Sequence, residues 1–129
     1  MGIMKLTNIE MENRLNSLEP LLDKEKLIGY AVARNRRKLI DALEEYSKTK
    51  DELIRKYGTE EDGRISLDVS NPNFVLFEQE LLPYAMLEHE VDLMIRPVSE
   101  AVECMTGREI ENTWWMFEDD LENQPETEE

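Results

Sequence analysis

Cysteine and histidine occur once each in this 129-residue chain, and glycine and proline five times each. A lone Cys104 makes no intramolecular disulfide, which fits a reducing compartment. Cys104 and His89 together supply two of the four ligands that a structural zinc site takes, so no metal site is expected. Too little glycine and proline is present for a collagen-like chain, and 40% apolar residues argue against a fully disordered one. No apolar run approaches the roughly 18 residues that span a bilayer, and Lys5 leads into a mixed polar stretch unlike a signal peptide. A cytoplasmic protein without a membrane-bound state is the expectation. Phosphate-binding glycine loops, a G-x-S-x-G elbow and an H-E-x-x-H pair are also missing, so neither catalytic residues nor a cofactor are assigned and the chain reads as a non-enzyme.

Positive charge is scarce, and only in one half. Residues 1–64 carry thirteen basic and thirteen acidic side chains, whereas residues 65–129 set Arg96 and Arg108 against seventeen carboxylates. The entire net charge of −15 therefore lies in the rear half. Such a field repels nucleic acid and anionic membrane and speeds encounter with basic surfaces. The basic cluster Arg34-Asn35-Arg36-Arg37-Lys38 would have to grip phosphate inside that field, so direct nucleic-acid binding is not expected. Pairing with acidic groups of the same chain or of a second copy suits it better.

The pattern along the chain predicts an α+β fold that is mainly α. It comprises a long central helix in a helical hairpin, a small two-stranded β element and a capped C-terminal helix. Residues 1–121 form the single domain, and residues 122–129 are expected to be a disordered acidic tail. Thr7 or Asn8 caps a first helix with Met11, Leu15 and Leu18 on one stripe, stopped by Pro20. Helical periodicity then runs from about Leu27 to Tyr57, with Gly58 at the place of a left-handed cap. A helix of that length reaches roughly 45 Å, more than the width of a domain this size. Part of it must project, pair with another chain or lie under the first helix. Its stripe of Leu39, Leu43, Tyr46 and Leu53 is the candidate for self-association.

Gly58 to Gly63 reads as a turn, and Arg64 to Val69 alternates as a half-buried strand. Placing Gly63 at the sixth position of a calcium loop leaves Gly58 and Val69 where carboxylates are required, so calcium is not expected. Asn71 with Pro72 opens a helix whose Phe74, Phe77 and Leu81 share a face, limited or kinked by Pro83. Val91 to Ile95 alternates as a second strand, expected to pair with the first. Thr106 to Glu109 is a capping box that opens a helix carrying Ile110, Trp114, Phe117 and Leu121. On that helix Trp114 points into the core, while Trp115 is partly exposed or covers the side of the domain. An exposed Trp among carboxylates is a strong anchor for a protein partner. The candidate partner-binding residues are Trp115, Glu111, Glu118, Asp119, Asp120, Glu122, Glu100 and Glu103. Cys104 is expected to be a half-buried thiol.

The order of Met4-Lys5-Leu6-Thr7-Asn8-Ile9, Tyr30-Ala31-Val32-Ala33-Arg34-Asn35, Lys56-Tyr57-Gly58 with Glu60-Glu61-Asp62-Gly63, and Asn73-Phe74 running to Leu81-Leu82 resembles a family. It is one of small uncharacterised proteins encoded by phages and prophages of Gram-positive bacteria. The resemblance covers about residues 4–120. It implies an accessory or assembly factor acting in the host cytoplasm and brings no catalytic residues with it. Combined with the charge, the leading expectation is a protein that binds a basic partner protein, such as a host nuclease or defence protein, through an acidic C-terminal surface that stands in for nucleic acid. The alternative is an oligomeric virion-assembly or scaffold-like factor.

Overall fold

The computed structural model describes residues 2–121, so Glu122 and the proposed tail lie outside the described residues. The fold is α+β and mainly α. It opens with a strand, β1 (Gly2–Thr7), where the sequence pattern indicated none. Leu6 is buried and Met4 half-buried, while Ile3 and Lys5 face outward. The apolar Ile3 on the solvent side, 71% exposed, hides the alternation that would announce a strand. Thr7 caps α1 (Asn8–Leu18) through a full capping box, its hydroxyl accepting from Glu10 N and its own N–H donating to Glu10 Oε1 at 2.8 Å. A short 3-10 turn holding Pro20 (Glu19–Leu21) ends this helix.

The expected single long helix is two helices. α2 (Lys26–Ala42) and α3 (Glu44–Tyr57) meet at Leu43, whose φ of −91° and ψ of 0° depart from helical values. The N–H of Leu43 is shared between the carbonyls of Leu39 and Ile40, a tightened turn. The break lets both helices follow the core, with α1 packed against α2 as the hairpin requires. Leu39, Leu43, Tyr46 and Leu53 are 0–6% exposed and belong to that core. They are therefore unavailable for the self-association assigned to them: their stripe is filled from within the same chain.

Gly58 does not adopt a left-handed cap. Its φ of −77° and ψ of 170° are extended, because the chain passes straight into β2 (Thr59–Glu61). β2 pairs with β3 (Arg64–Ser66) around Asp62 and Gly63, both at positive φ, which is the two-residue hairpin that an Asp-Gly pair favours. β3 is exposed and shorter than the half-buried strand expected to Val69. It also does not pair with the later strand. That strand, β4 (Glu88–Leu93), lies antiparallel to β1, with Leu6 opposite His89 and Gly2 opposite Leu93.

Between them, α4 (Phe74–Ala85) starts later than the Asn71-Pro72 signal suggested, although Asn71 Oδ1 accepts from Asn73 N as a capping residue does. Phe77 and Leu81 are buried as expected, with Phe74 half-buried beside them. Pro83 is accommodated in the last turn.

After β4 come β5 (Arg96–Pro97), α5 (Val98–Ala101) and α6 (Gly107–Asn112). The Thr106–Glu109 capping box is present as expected. The last helix is short, however. Thr113, fully buried, turns its hydroxyl to Glu109 O at 2.7 Å, and a 3-10 turn (Trp114–Met116) follows. The chain then enters β6 (Phe117–Glu118), which runs parallel to β5. Phe117 reaches the core through this strand rather than through the helix that its spacing suggested, and Met116 is buried at the end of the turn before it.

The layers are joined by a buried amide. Asn35 of α2, 0% exposed, donates from Nδ2 to Met94 O at 3.0 Å and accepts from Met94 N at 2.6 Å on Oδ1. Its side chain thus takes the place of a neighbouring strand just past the end of β4. No helix among the described residues is long and apolar enough to cross a membrane.

Candidate partner-binding surface

Carboxylates of the rear half are arranged by three short elements. β6 brings Glu118 opposite Pro97, and the following Asp120 accepts from Ser99 N at 3.0 Å and Ser99 Oγ at 2.5 Å. The Ser99 hydroxyl first, then its N–H, holds the Asp120 carboxyl below its ordinary pKa. Asp120 is therefore engaged in closing the first turn of α5. Glu100, in that same turn, forms an ion pair with Arg96, four residues before it. Glu103 and Glu118 are exposed and Asp119 is half-buried.

A groove of about 590 Å³ lies between α5 and the start of α2, and Glu100, Glu103, Asp23 and Glu25 line it together with Lys24 and Cys104. Lys24 crosses its end, with Nζ 3.0 Å from Cys104 O and 3.1 Å from Glu109 Oε1. The Glu109 carboxyl is held below its ordinary pKa by the Thr106 N–H and then by Lys24. Further along α6, Gly107, Ile110, Glu111 and Trp114 line a second, open groove of about 710 Å³.

Trp114, expected in the core, lies on the surface. Trp114 is 49% exposed beside Glu111, whereas Trp115 is half-buried with the Arg14 guanidinium 5.1 Å from its ring centre. Burial lowers the pKa of Arg14. The more exposed of the two rings is thus that of Trp114, not Trp115. The adjacent-Trp signal required one ring to face out, and the early end of α6 decided which. Cys104, expected to be half-buried, is exposed.

Seen whole, residues 65–121 hold thirteen carboxylates and two guanidinium groups, a net of −11. Glu80 meets Lys56, Glu100 meets Arg96, and Glu109 meets Lys24. Glu88, Glu90 and Asp92 follow one another at every second position of β4, along the face that also carries Ile3 and Lys5. Side chains so placed repeat at about 6.8 Å. This row was not singled out in the sequence, where it looks like any polar face. The basic cluster does not neutralise the rear half among the described residues: Arg36 pairs with Glu19 at 2.7 Å, and Arg34 and Arg37 stand exposed. Also among the described residues, no group of three or more His, Cys, Asp or Glu side chains is placed to hold a metal ion.

Compared with protein-family models, curated proteins and solved structures, the chain matches none.

Proposed function

We propose that this chain is a non-enzymatic binding protein that docks on the basic surface of a partner protein, with Trp114 as the apolar anchor, Glu111 beside it, and the exposed Glu103 and Glu118 adding to the negative charge of the rear half. The reading rests on one observation: a tryptophan half exposed in a groove with Glu111 on the acidic half of the molecule. A ring that is already partly desolvated loses little side-chain freedom on binding, and aromatic anchors dominate interface energies. The carboxylates of this half steer a cationic partner and reject nucleic acid. With the resemblance to phage proteins, the partner class is a host nuclease or defence protein in the host cytoplasm, whose phosphate-binding surface the carboxylates would occupy.

The test is capture from host lysate by the tagged full chain over a salt series, followed by affinity measurement on the captured protein. Trp114→Ala is expected to weaken binding by about 30-fold or more, as a hot-spot truncation does. Glu111→Gln with Glu118→Gln should flatten the salt dependence. Binding that ignores both salt and Trp114 would sink the proposal. The second reading, an oligomeric assembly factor, draws its support from the apolar outer face of α4.

A further inference from the structure

α4 is apolar on both of its faces, yet only one is covered. Phe77, Leu81 and Ala85 turn inward, and at 100° per residue the opposite side presents Val75, Leu76, Leu82 and Met86, which are 49–59% exposed. Leu87, 52% exposed, extends this surface past the helix end. Ile9, 43% exposed, lies alongside, since the N–H of the preceding Asn8 donates to Leu87 O. Apolar stripes on a helix normally face a packing partner.

We propose that this face binds a second copy of the chain, the two α4 helices packing antiparallel across a two-fold axis that passes by Gln79. Two observations select a second copy. The first is area: with their fractional exposures, Val75, Leu76, Leu82, Met86, Leu87 and Ile9 offer roughly 600 Å² of side-chain surface per protomer, against about 800 Å² per partner in a standard interface. Doubled across the axis this reaches about 1,200 Å², the lower edge of the range for specific interfaces. The second is Gln79, the one polar residue in the middle of the stripe. A primary amide is its own complement, donor to acceptor and acceptor to donor, and a two-fold axis brings the same residue of each copy together. A single polar residue in an apolar helix seam fixes register in just this way. The proposal does not depend on the basic partner proposed above, because it uses a different element and opposite electrostatics.

Charge supplies the discriminating signature. Each copy carries −15, so self-association works against repulsion and tightens as salt screens it, whereas a basic partner on the same face would be lost as salt rises. Sedimentation equilibrium or light scattering on the full chain should give twice the 15.2 kDa chain mass, with a dissociation constant that falls with added salt. Leu82→Glu and, separately, Met86→Lys should weaken the dimer by about 30-fold or more, since each change is made twice across the axis. Far-UV circular dichroism should stay unchanged, both side chains being exposed. A chain that stays monomeric at all salts, a dimer indifferent to both substitutions, or one dissociated by salt overturns the proposal.

Discussion

Replacing Asn35 by Ala should expose how much the fold depends on one side chain standing in for a strand. The amide of Asn35 makes two hydrogen bonds to Met94, at 3.0 and 2.6 Å, with the side chain fully buried. Truncation leaves the N–H and C=O of Met94 without these partners at a half-buried position. Each orphaned group costs about 1–3 kcal/mol. Met94 retains some access to water, so the lower half of that range applies, and the variant should lose about 3 kcal/mol in all. That is a large share of the roughly 5–15 kcal/mol that stabilises a domain. In urea, with a slope of about 1–3 kcal/mol per M, the midpoint should fall by roughly 1–3 M with the slope unchanged. Asn35→Asp sharpens the test. The carboxyl keeps the acceptor for Met94 N–H but donates to Met94 O only when protonated. Burial and the facing carbonyl then raise its folded pKa above the unfolded value of about 3.9. With the pKa raised, this acid favours the fold below the unfolded value, and the advantage disappears as pH climbs through the folded value. The variant should therefore be closer to wild type near about pH 4 than near about pH 7. A loss under about 1 kcal/mol for Asn35→Ala, or an Asn35→Asp variant with no pH dependence beyond wild type, would refute the strand-substitute argument.

Gly29→Ala, in the interior of α2, would ordinarily gain about 1 kcal/mol of helix propensity. Here a Cβ would meet Lys24 O at 2.0 Å, so the backbone before the helix must move and thermal unfolding should show a loss of stability; a gain would refute the close approach. The Glu80 carboxyl is held below its ordinary value of 4.5 by the Tyr57 hydroxyl at 2.5 Å first, and by Lys56 after it. Its contribution to stability is present above the unfolded pKa and disappears as pH falls through the lower folded value. Tyr57→Phe should move the Glu80 titration upward in a carboxyl-detected NMR experiment, and an unmoved titration would show that the phenol is not the principal cause.

Local signals in the sequence were reliable where the cause was local. Thr106 and Glu109 specify their own cap within three residues, and the inner stripe of α4 is set by its own spacing. The breaks between elements were hidden for the opposite reason. Apolar spacing continues through Leu43, and nothing near it is a breaker, so only the curvature of the core around which α2 and α3 fold ends the first helix. Trp114 misled in the same way, since Ile110, Trp114 and Phe117 keep helical spacing while the buried Thr113 diverts the chain. β1 and β4 are far apart in the chain and are recognisable only as a pair. Ile3 and His89 each break the alternation of its own strand, and the register that joins them is tertiary information. The charge asymmetry of the site could be counted residue by residue. Which carboxylates remain available could not, because Ser99 engages Asp120 across 21 residues.

Among the described residues, few cations of the front half are spent on the rear half. Lys24 and Lys56 cross to Glu109 and Glu80, while Arg36 and Lys50 pair with Glu19 and Glu12 on their own side. Partly exposed pairs of this kind each contribute about 0–1 kcal/mol, so they do not hold the halves together. The apolar core and the Asn35 clamp do that. Even with Lys24 and Lys56 counted against it, the −11 of residues 65–121 falls only to −9. A charge so poorly compensated repels itself and lowers the stability of the compact state, an effect that salt relieves. Salt therefore acts in one direction on folding and on contacts between identical acidic copies, and in the other on capture of a basic partner. The two proposed surfaces, one with Glu111 beside Trp114 and one apolar along α4, predict opposite responses to ionic strength.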